Sequence, residues 1–453
     1  MTPPRRSAPA PTRPRRKAGR APAGALAAGL LALSLAAALP GGRAEAAGFP
    51  RAIDYVLQLR SSAQHQDNPA RLPDSSAERR GSAVLVNSVG AAVRVPLLSD
   101  DTRLDIAGNV ADVRYSRNEQ LDHRPADMRA TLNWRLTDRV AGRVDYGYDK
   151  QLNDYQARTW PERDMVARRR LQAEAGLRLT ERLTAPVVAV FDNRTRYRRD
   201  ENRTLYDRDE SGWQVSARYA GGADRAYAET GVRETRAQYP RRDAALVPLI
   251  DDGYRDREIF VGAQRGLSPK TLLQARVGYL QRDYDHLSGR DTGLLTFDAR
   301  GIWDYSPKTR FDLQLWRRPY AYDDDPDVIY ATQTGGSVGV RWQATEKLAL
   351  GMSVERTRQK NTMASGGSGG DLRILRYGTR LEWRAYDSLR WVLDYYRDRQ
   401  RGENPGDSYR QDFVRLGVEY TYGSNAGEET RGALTEMLRP GECEWRRPPF
   451  SLC

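Results

Sequence analysis

Apolar and polar residues alternate at successive positions through most of this chain, and the stretch from Asp371 to Tyr422 shows this most clearly. In its first run, alternate positions are apolar or aromatic, and the positions between them are mostly charged. The apolar set is Leu375, Tyr377, Leu381 and Trp383, and the charged set is Arg376, Arg380, Glu382 and Arg384. Successive side chains of an extended strand point to opposite faces. A period of two therefore predicts β-strands with one apolar face and one polar face.

The same alternation predicts about eighteen strands, with ends placed to within a few residues. Their expected spans are 51–60, 82–97, 101–116, 126–137, 139–150, 164–180, 183–195, 211–220, 224–238, 254–266, 271–285, 292–306, 308–321, 327–344, 346–360, 371–387, 389–401 and 409–422. Pro186 has no backbone N–H to donate, so it predicts a strand start or a bulge in the span 183–195.

The connections between these strands alternate in length. Tight turns are expected at 136–138, 180–182, 221–223, 268–270, 306–308 and 345–347, and long loops at 61–80, 151–163, 195–210, 239–253 and 361–370. All short turns therefore fall at one end of the strands and all long loops at the other. Outer-membrane barrels have short periplasmic turns and longer outer loops. With an even number of strands, both chain ends would lie in the periplasm.

Length and composition favour the same architecture. A water-soluble domain of 453 residues, with 39% hydrophobic residues and a mean hydropathy of −0.75, would usually divide, yet no linker is evident. A closed barrel with a wet interior needs few apolar residues. We therefore predict an all-β, transmembrane, antiparallel up-and-down β-barrel of about 18 strands, in a range of about 16–18. A soluble β-sandwich is the alternative, but it does not explain the segregated loop lengths or the Tyr and Trp near strand ends.

The N-terminus resembles a secretory signal peptide. Met1–Arg20 is basic, Ala21–Leu39 is apolar and uncharged, and Ala44-Glu45-Ala46 is a small-x-small cleavage site. The alternative is an uncleaved membrane anchor. The predicted organisation is a signal peptide over 1–46, an outer-membrane barrel over 47–422 and a periplasmic C-terminal tail over 423–453.

The formal net charge of +13 would at first suggest nucleic-acid binding. Residues 1–46 contribute +7 of it, which leaves +6 for the remainder. In the remainder, basic residues are spread along strands with acids between them, so we predict no nucleic-acid partner.

Cys443 and Cys453 are the only cysteines and have neither zinc nor haem spacing, and no cofactor or metal is expected. The acidic run Asp323–Asp325 is interpreted as a solvated loop in preference to a cation site.

The polar face of the strands is expected to line the barrel interior. The candidate pore-lining residues are Arg129, Arg135, Arg143, Arg276, Arg300, Arg310, Arg341, Arg376, Arg380, Arg384, Arg415, Glu382, Asp394 and Glu419. They predict either a basic lumen that favours anionic or polar solutes, or cross-strand ion pairs that stiffen the wall. No catalytic residues are predicted, because His65, His123 and His286 all fall in expected loops and no nucleophile and base cluster together.

Three segments resemble, in their order, the EpsL family of outer-membrane barrel proteins associated with exosortase-linked exopolysaccharide biosynthesis. They are Gln66–Asp74, which contains Asp-Asn-x-x-Arg-Leu-Pro-Asp, the loop segment Leu249–Tyr254, and the strand end Gly278–His286. The resemblance covers residues 50 to 422. The chain departs from the family at Pro69-Ala70, where an apolar-aromatic pair is usual, and in the stretch beyond the last strand. The resemblance implies a non-catalytic outer-membrane role in exopolysaccharide export.

The predicted function is therefore an outer-membrane β-barrel channel, not an enzyme, that takes part in exopolysaccharide biosynthesis or export. Its expected partners are outer-membrane lipid, an anionic or polar polysaccharide and other components of exopolysaccharide secretion. The alternative is a non-conducting structural or scaffold barrel of a secretion apparatus, which predicts a plugged lumen.

Overall fold

The computed structural model of the chain describes residues 53–99, 102–152, 164–197, 204–221, 226–320, 328–363, 368–403, 405–424 and 428–438. The expected signal peptide, the acidic run Asp323–Asp325 and both cysteines lie outside these residues. Among the described residues, no helix is both long enough and apolar enough to cross a membrane.

The described residues form eighteen strands. They are β1 (Asp54–Gln66), β2 (Ser82–Ser99), β3 (Thr102–Tyr115), β4 (Ala126–Arg135), β5 (Val140–Leu152), β6 (Met165–Arg178), β7 (Leu183–Tyr197), β8 (Arg208–Ala220), β9 (Tyr227–Gln238), β10 (Gly253–Ser268), β11 (Thr271–Tyr284), β12 (Thr292–Ser306), β13 (Thr309–Tyr320), β14 (Val328–Gln343), β15 (Leu348–Met363), β16 (Ser368–Tyr386), β17 (Leu389–Arg401) and β18 (Tyr409–Gly423). The helices are α1 (Val247–Ile250) and α2 (Glu428–Met437), with short 3-10 helices at Glu119–Leu121, Ser288–Arg290 and Pro405–Asp407.

Every strand pairs antiparallel with its neighbours in the chain, and the first strand pairs with the last. The closing register runs from Val56 opposite Gly423 to Gln66 opposite Phe413. The fold is therefore a closed, 18-stranded, antiparallel β-barrel, as the alternation predicts. Closure satisfies the backbone hydrogen bonds of every strand and leaves no free edge.

The strand boundaries agree with the sequence-based spans to within a few residues at most positions. The largest difference is at β1, which continues to Gln66 and shortens the expected loop 61–80. His65 therefore lies on a strand and is exposed, so its assignment to a loop was wrong. The expected irregularity near Pro186 is present, because the pairing of β7 with β8 shifts register between Thr184 and Val187.

Three of the short turns that join strands at one end share a hydrogen-bonding motif. The hydroxyl oxygens of Thr137, Thr180 and Thr345 accept bonds from the backbone N–H three residues later, at 3.0–3.1 Å. Each threonine is followed by an acidic and then a basic residue. Side-chain to backbone bonds of this kind specify tight turns. The described loops 67–81 and 239–252 lie at the opposite end, as predicted. Most of loop 151–163, and parts of loops 195–210 and 361–370 and of turn 221–223, lie outside the described residues.

The two faces of the barrel wall differ in chemistry. Leu381, Leu393 and Leu416 lie opposite one another across β16, β17 and β18, and all three are exposed on the outer side. Apolar side chains are exposed at alternate positions around the outer wall, for example Leu59 at 52% and Ile259 at 61%. Such an apolar outer surface is costly in water and is suited to contact with lipid.

Helix α2 follows β18 and packs against the inner wall. Leu434 and Leu438 are buried in a cluster with Val56, Ala92 and Ala107 of β1, β2 and β3. The alternation of strand residues gives no indication of this helix. It lies within the segment 423–453 that was expected as a periplasmic tail, and the compartment of that segment stays a prediction.

Candidate functional site in the barrel lumen

The strand register places every predicted pore-lining residue on the inner face. Strand pairing sets Arg380 opposite Asp394 and Asp394 opposite Arg415, and sets Arg129 opposite Gly147. Positions two residues apart share a face, so the remaining predicted residues follow from the same parity. Their part in a pore stays a prediction, but their surroundings can be described.

Ion pairs connect most of these residues. Arg380 lies 2.7 Å from Asp394, which also pairs with Arg415, and Glu419 pairs with Arg390 of β17. Further pairs are Arg143–Asp145 at 2.7 Å, Arg276–Glu258 at 2.9 Å, Arg300–Asp312 at 3.3 Å, Arg310–Asp304 at 2.6 Å and Arg341–Glu382 at 3.9 Å. The side chains of Arg129 and Arg135 also interact with neighbouring groups. Arg143–Asp145 lies within β5, but the other pairs join different strands and favour the prediction that cross-strand pairs stiffen the wall.

Arg384 differs from the rest of this set. It is exposed on β16 near the short-turn end, and the residue opposite it on β17 is another arginine, Arg390. Within the part of the chain that the structure describes, its guanidinium has no acidic partner within ion-pair distance. Its charge is therefore not offset by a direct partner.

A cluster at the long-loop end gathers charges from both ends of the chain. Asp398 of β17 is fully buried and pairs with Arg376 at 3.3 Å and with Arg71 at 3.4 Å. The hydroxyl of Tyr409 donates to Asp398 at 3.2 Å, and the Arg71 guanidinium also lies over the Tyr409 ring. Of these residues only Arg376 was predicted as part of the site. Asp398 has the same strand parity as Asp394 and could have been included on that basis.

Arg71 reaches Asp398 because its loop folds against β18. The Asn68 side chain accepts a bond from the Leu72 N–H at 2.9 Å and donates to the Leu72 carbonyl at 2.8 Å. The same amide donates to the carbonyl of Arg410 at 3.2 Å, which fixes the loop to β18. Arg71 has a φ of 51°, a conformation that side chains rarely adopt, and its contacts with Asp398 and Gln411 hold it there. The segment that resembles the EpsL motif is thus an ordered, inward-folded loop.

A second buried cluster lies across β10 and β11. Arg282 makes two 2.7 Å bonds to the carboxylate of Asp256 and stacks over the ring of Tyr254 at 3.7 Å. Tyr284 and Tyr239 complete an apolar cluster around Tyr254. Arg282 was not among the predicted pore-lining residues, although it has the same parity as Arg276. A bidentate arginine–carboxylate pair of this kind fixes the inner wall at the long-loop end.

The loops after β9 and β11 meet at Asp251. Its carboxylate accepts bonds from the N–H groups of Asp252, Gly253, His286 and Leu287 at 2.7–3.2 Å. Burial alone would raise the pKa of Asp251, but these four hydrogen bonds lower it below its ordinary value. The hydrogen bond that the His286 imidazole donates to Asp251, together with the charge of Asp252, raises the pKa of the exposed His286.

Asp251, Asp252 and His286 are also close enough together to hold a metal ion. The backbone donors already occupy both oxygens of the Asp251 carboxylate. His286 Nδ1 lies 3.0 Å from Asp252 and 3.2 Å from Asp251. This arrangement is suited to an electrostatic link between two loops.

No protein-family model matches this chain, and no curated protein matches it. Among solved structures, it is similar to OccK2 (OpdF) of Pseudomonas aeruginosa in complex with glucuronate, at 12% identity and a TM-score of 0.47, over 83% of this chain and 100% of that chain. It is also similar to Pseudomonas aeruginosa OpdK with vanillate, at 12% identity and a TM-score of 0.45, over 83% and 100%. The siderophore receptor PirA of the same species is similar at 11% identity and a TM-score of 0.39, over 81% and 80%. The strand pairing of this chain establishes its architecture independently of these similarities.

Proposed function

We propose that this protein is an outer-membrane channel that takes part in exopolysaccharide export. The observation that carries the proposal is the closed 18-stranded barrel with an apolar outer wall and a charged inner wall. Such a wall is stable in lipid and encloses polar groups that can hydrogen-bond a hydrated solute. The short turns and both chain ends are assigned to the periplasm, and the long loops to the outside.

The chemistry of the inner wall supports a polar or anionic solute. Arginines such as Arg380 and Arg415 are spaced along the wall with acids between them. Guanidinium groups donate several hydrogen bonds in a plane, which suits the hydroxyl and carboxylate groups of a polysaccharide. The resemblance to EpsL links the barrel to exopolysaccharide in particular. The proposal includes no catalytic step and no cofactor.

Two experiments test the two parts of this proposal. Purified protein in planar bilayers should give discrete conductance steps that short oligosaccharides partly block. A strain that lacks the gene should retain exopolysaccharide in the periplasm, and the wild-type chain should restore its release. Absence of conductance would contradict the channel. Normal release in the deletion strain would contradict the export role and leave the channel standing.

A non-conducting scaffold barrel is the second candidate, and a specific observation favours it. The loop that contains Arg71 folds inward at the long-loop end, and α2 packs on the inner wall beside β1 and β2. Both segments take up space in the lumen. If the barrel inserts but never conducts, even after α2 is removed, the scaffold is the better assignment.

A further inference from the structure

The outer face of β15 to β18 carries a group of basic residues at the long-loop end, next to the apolar surface. We define the arginine patch as Arg356, Arg373, Arg399 and Arg401, all of them exposed. Arg358, Lys360, Arg397 and Arg410 flank it, with Asp371 and Asp412 as the acids among them. The patch lines two adjoining surface clefts, and Arg356 and Arg373 contribute to both.

The patch contains like charges directly opposite one another. Arg373 of β16 is directly opposite Arg401 of β17 in the strand register, and at the edge of the patch Arg399 of β17 is opposite the flanking Arg410 of β18. Like charges at opposed positions of an antiparallel pair destabilise the sheet. Among the described residues, the four patch side chains have no acidic partner, because Asp371 pairs with Arg358 and Asp412 with Arg397. The patch is therefore an unbalanced concentration of positive charge.

Several other outward arginines at the same end of the barrel do have acidic partners. Arg194 lies 3.0 Å from Asp192, and Arg257 lies 3.6 Å from Glu234 and 3.4 Å from Asp283. Arg114 lies 2.8 Å from Asp112. Basic residues alone thus do not distinguish the patch. It is distinguished by four neighbouring arginines that all lack a direct acidic partner among the described residues.

The distance between the patch and the short-turn end of the apolar surface can be derived from the strand geometry. Trp383 is exposed on the outer face of β16, near the short-turn end, and Arg373 lies ten positions away on the same face. At about 3.3 Å per residue this is about 33 Å along the strand. A strand tilt of about 40° reduces it to about 25 Å, which is the height of the apolar band of outer-membrane barrels. Leu375, the next residue of β16 on that face in the direction of Trp383, is apolar.

We propose that the arginine patch binds the phosphorylated headgroup of a glycolipid in the outer leaflet, that is, the lipid A part of lipopolysaccharide. This inference rests on the outer-membrane location proposed above. Acyl chains would lie on the apolar wall around Leu375 and Leu393, and the phosphates would lie among the arginines. Arginine matches the geometry of phosphate oxygens with paired donors, and the phosphates would relieve the repulsion between the opposed arginines.

Native mass spectrometry of the mature chain in detergent micelles tests this assignment. The probes are lipid A with two phosphates, lipid A with one phosphate, and inorganic phosphate at the same concentration. We expect wild-type protein to bind the bisphosphorylated lipid more tightly than the monophosphorylated one. The combined variant Arg356→Gln, Arg373→Gln, Arg399→Gln, Arg401→Gln should bind at least about tenfold more weakly. Each basic residue near an anionic headgroup contributes roughly fivefold to binding, so the loss of any two of the four would already exceed this threshold.

A matched control removes the same charge from the opposite side of the barrel. The variant Arg194→Gln, Arg236→Gln, Arg255→Gln, Arg257→Gln replaces outward arginines at the same end that lie near acids. It should bind lipid A as wild type does. Equal binding by wild type and patch variant, or equal loss in both variants, would overturn the proposal.

Competition assays identify the source of the phosphate. Displacement of lipid A by an equal concentration of inorganic phosphate would mean that the patch is a simple anion site and would overturn the lipid assignment. Binding of an anionic oligosaccharide in place of lipid A would do the same. The proposed channel function is tested separately, by measuring conductance in bilayers that contain no lipid A. A failure of lipid binding would therefore overturn the lipid assignment and leave the channel proposal standing.

Discussion

Arg71 and Asp398 lie 3.4 Å apart, one on the loop after the first strand and the other on the last strand but one. The Asp398 carboxylate is fully buried and also pairs with Arg376 and Tyr409. This contact holds the loop against the inner wall. The loop at the long-loop end is therefore held by this ion pair together with the hydrogen bond from Asn68 to the carbonyl of Arg410.

Replacing Arg71 should release the loop. Arg71→Gln removes a charged donor from a buried acceptor, which should cost about 1–3 kcal/mol of loop stability. The Leu72 N–H, which donates to Asn68, should then exchange with solvent about fivefold to 150-fold faster. Hydrogen exchange read by mass spectrometry checks this. Arg80→Gln, on the exposed part of the same loop, is the control. Equal exchange in the two variants would contradict the role of the Arg71–Asp398 ion pair in holding the loop.

The sequence could predict the wall of the barrel because the wall is encoded locally. Strand parity alone placed Arg380 inside and Leu381 outside, since neighbouring residues must point to opposite faces. The same parity places Arg282 and Asp398 on the inner face, although neither was among the predicted residues. Only their partners needed the cross-strand register, because Asp256 and Arg71 come from other strands and loops.

The contents of the lumen could not be predicted in this way. Among the described side chains of helix α2, Leu434 is the one fully buried apolar residue, Leu438 lies just beyond the helix end, and the helix contains Gly432. A short helix of this kind is stabilised by the wall on which it packs and not by its own sequence. The fold of Asn68–Leu72 likewise depends on Arg410 of the last strand. His65 was wrongly assigned to a loop because the residues of β1 near the long-loop end are polar and resemble a loop sequence.

The assignment of faces can be tested by moving charge across the wall. Leu381→Arg or Leu416→Arg would place a guanidinium against lipid and should destabilise the barrel by roughly 2–4 kcal/mol if the site is near the bilayer midplane. Arg380→Leu should cost less, because Asp394 keeps Arg415 as its partner. Urea unfolding in lipid vesicles measures both. A larger loss for Arg380→Leu than for Leu381→Arg would mean that the faces are inverted.

The link between the loops at Asp251 should depend on pH in two directions. The lowered pKa of Asp251 means that its stabilising bonds are present above the ordinary aspartate range, about 3.9, and are lost as pH falls through its folded pKa. The raised pKa of His286 means that its contribution is full below about 6.5 and is lost as pH rises through its folded pKa. The link should therefore be tightest at mildly acidic pH.

Exchange rates at the backbone N–H groups of Gly253 and Leu287, corrected for intrinsic pH dependence, measure this link. His286→Ala should abolish the loosening on the alkaline side, and Asp251→Ala should loosen the loops at every pH. His65→Ala, on the exposed face of β1, should leave the profile unchanged. A profile that stays flat from pH 5 to 9 in the wild type would contradict the role of His286.

Ion selectivity should respond to Arg384, whose charge has no direct acidic partner within the described part of the chain. Arg384→Gln should move the reversal potential in a planar bilayer toward cation preference, and Arg384→Glu should move it further. The shift should shrink with rising salt, because charges are screened over about 10 Å at 0.1 M. Arg257→Gln removes the same charge from the outer face and should change nothing. Equal shifts for the two variants would mean that the lumen field does not set selectivity.

Helix α2 packs on the inner wall and takes up space in the lumen, so it should limit the conductance of the channel. Leu434 is fully buried beside Val56 and Ala92, so Leu434→Asp would place a carboxylate in an apolar site and should detach the helix. Ala433→Asp makes the same change one position away, on the exposed side of the helix, and should leave it in place. We expect larger single-channel conductance for Leu434→Asp than for Ala433→Asp or wild type. Hydrogen exchange over 428–438 reports detachment independently, and a detached helix with unchanged conductance would show that the solute path does not pass α2.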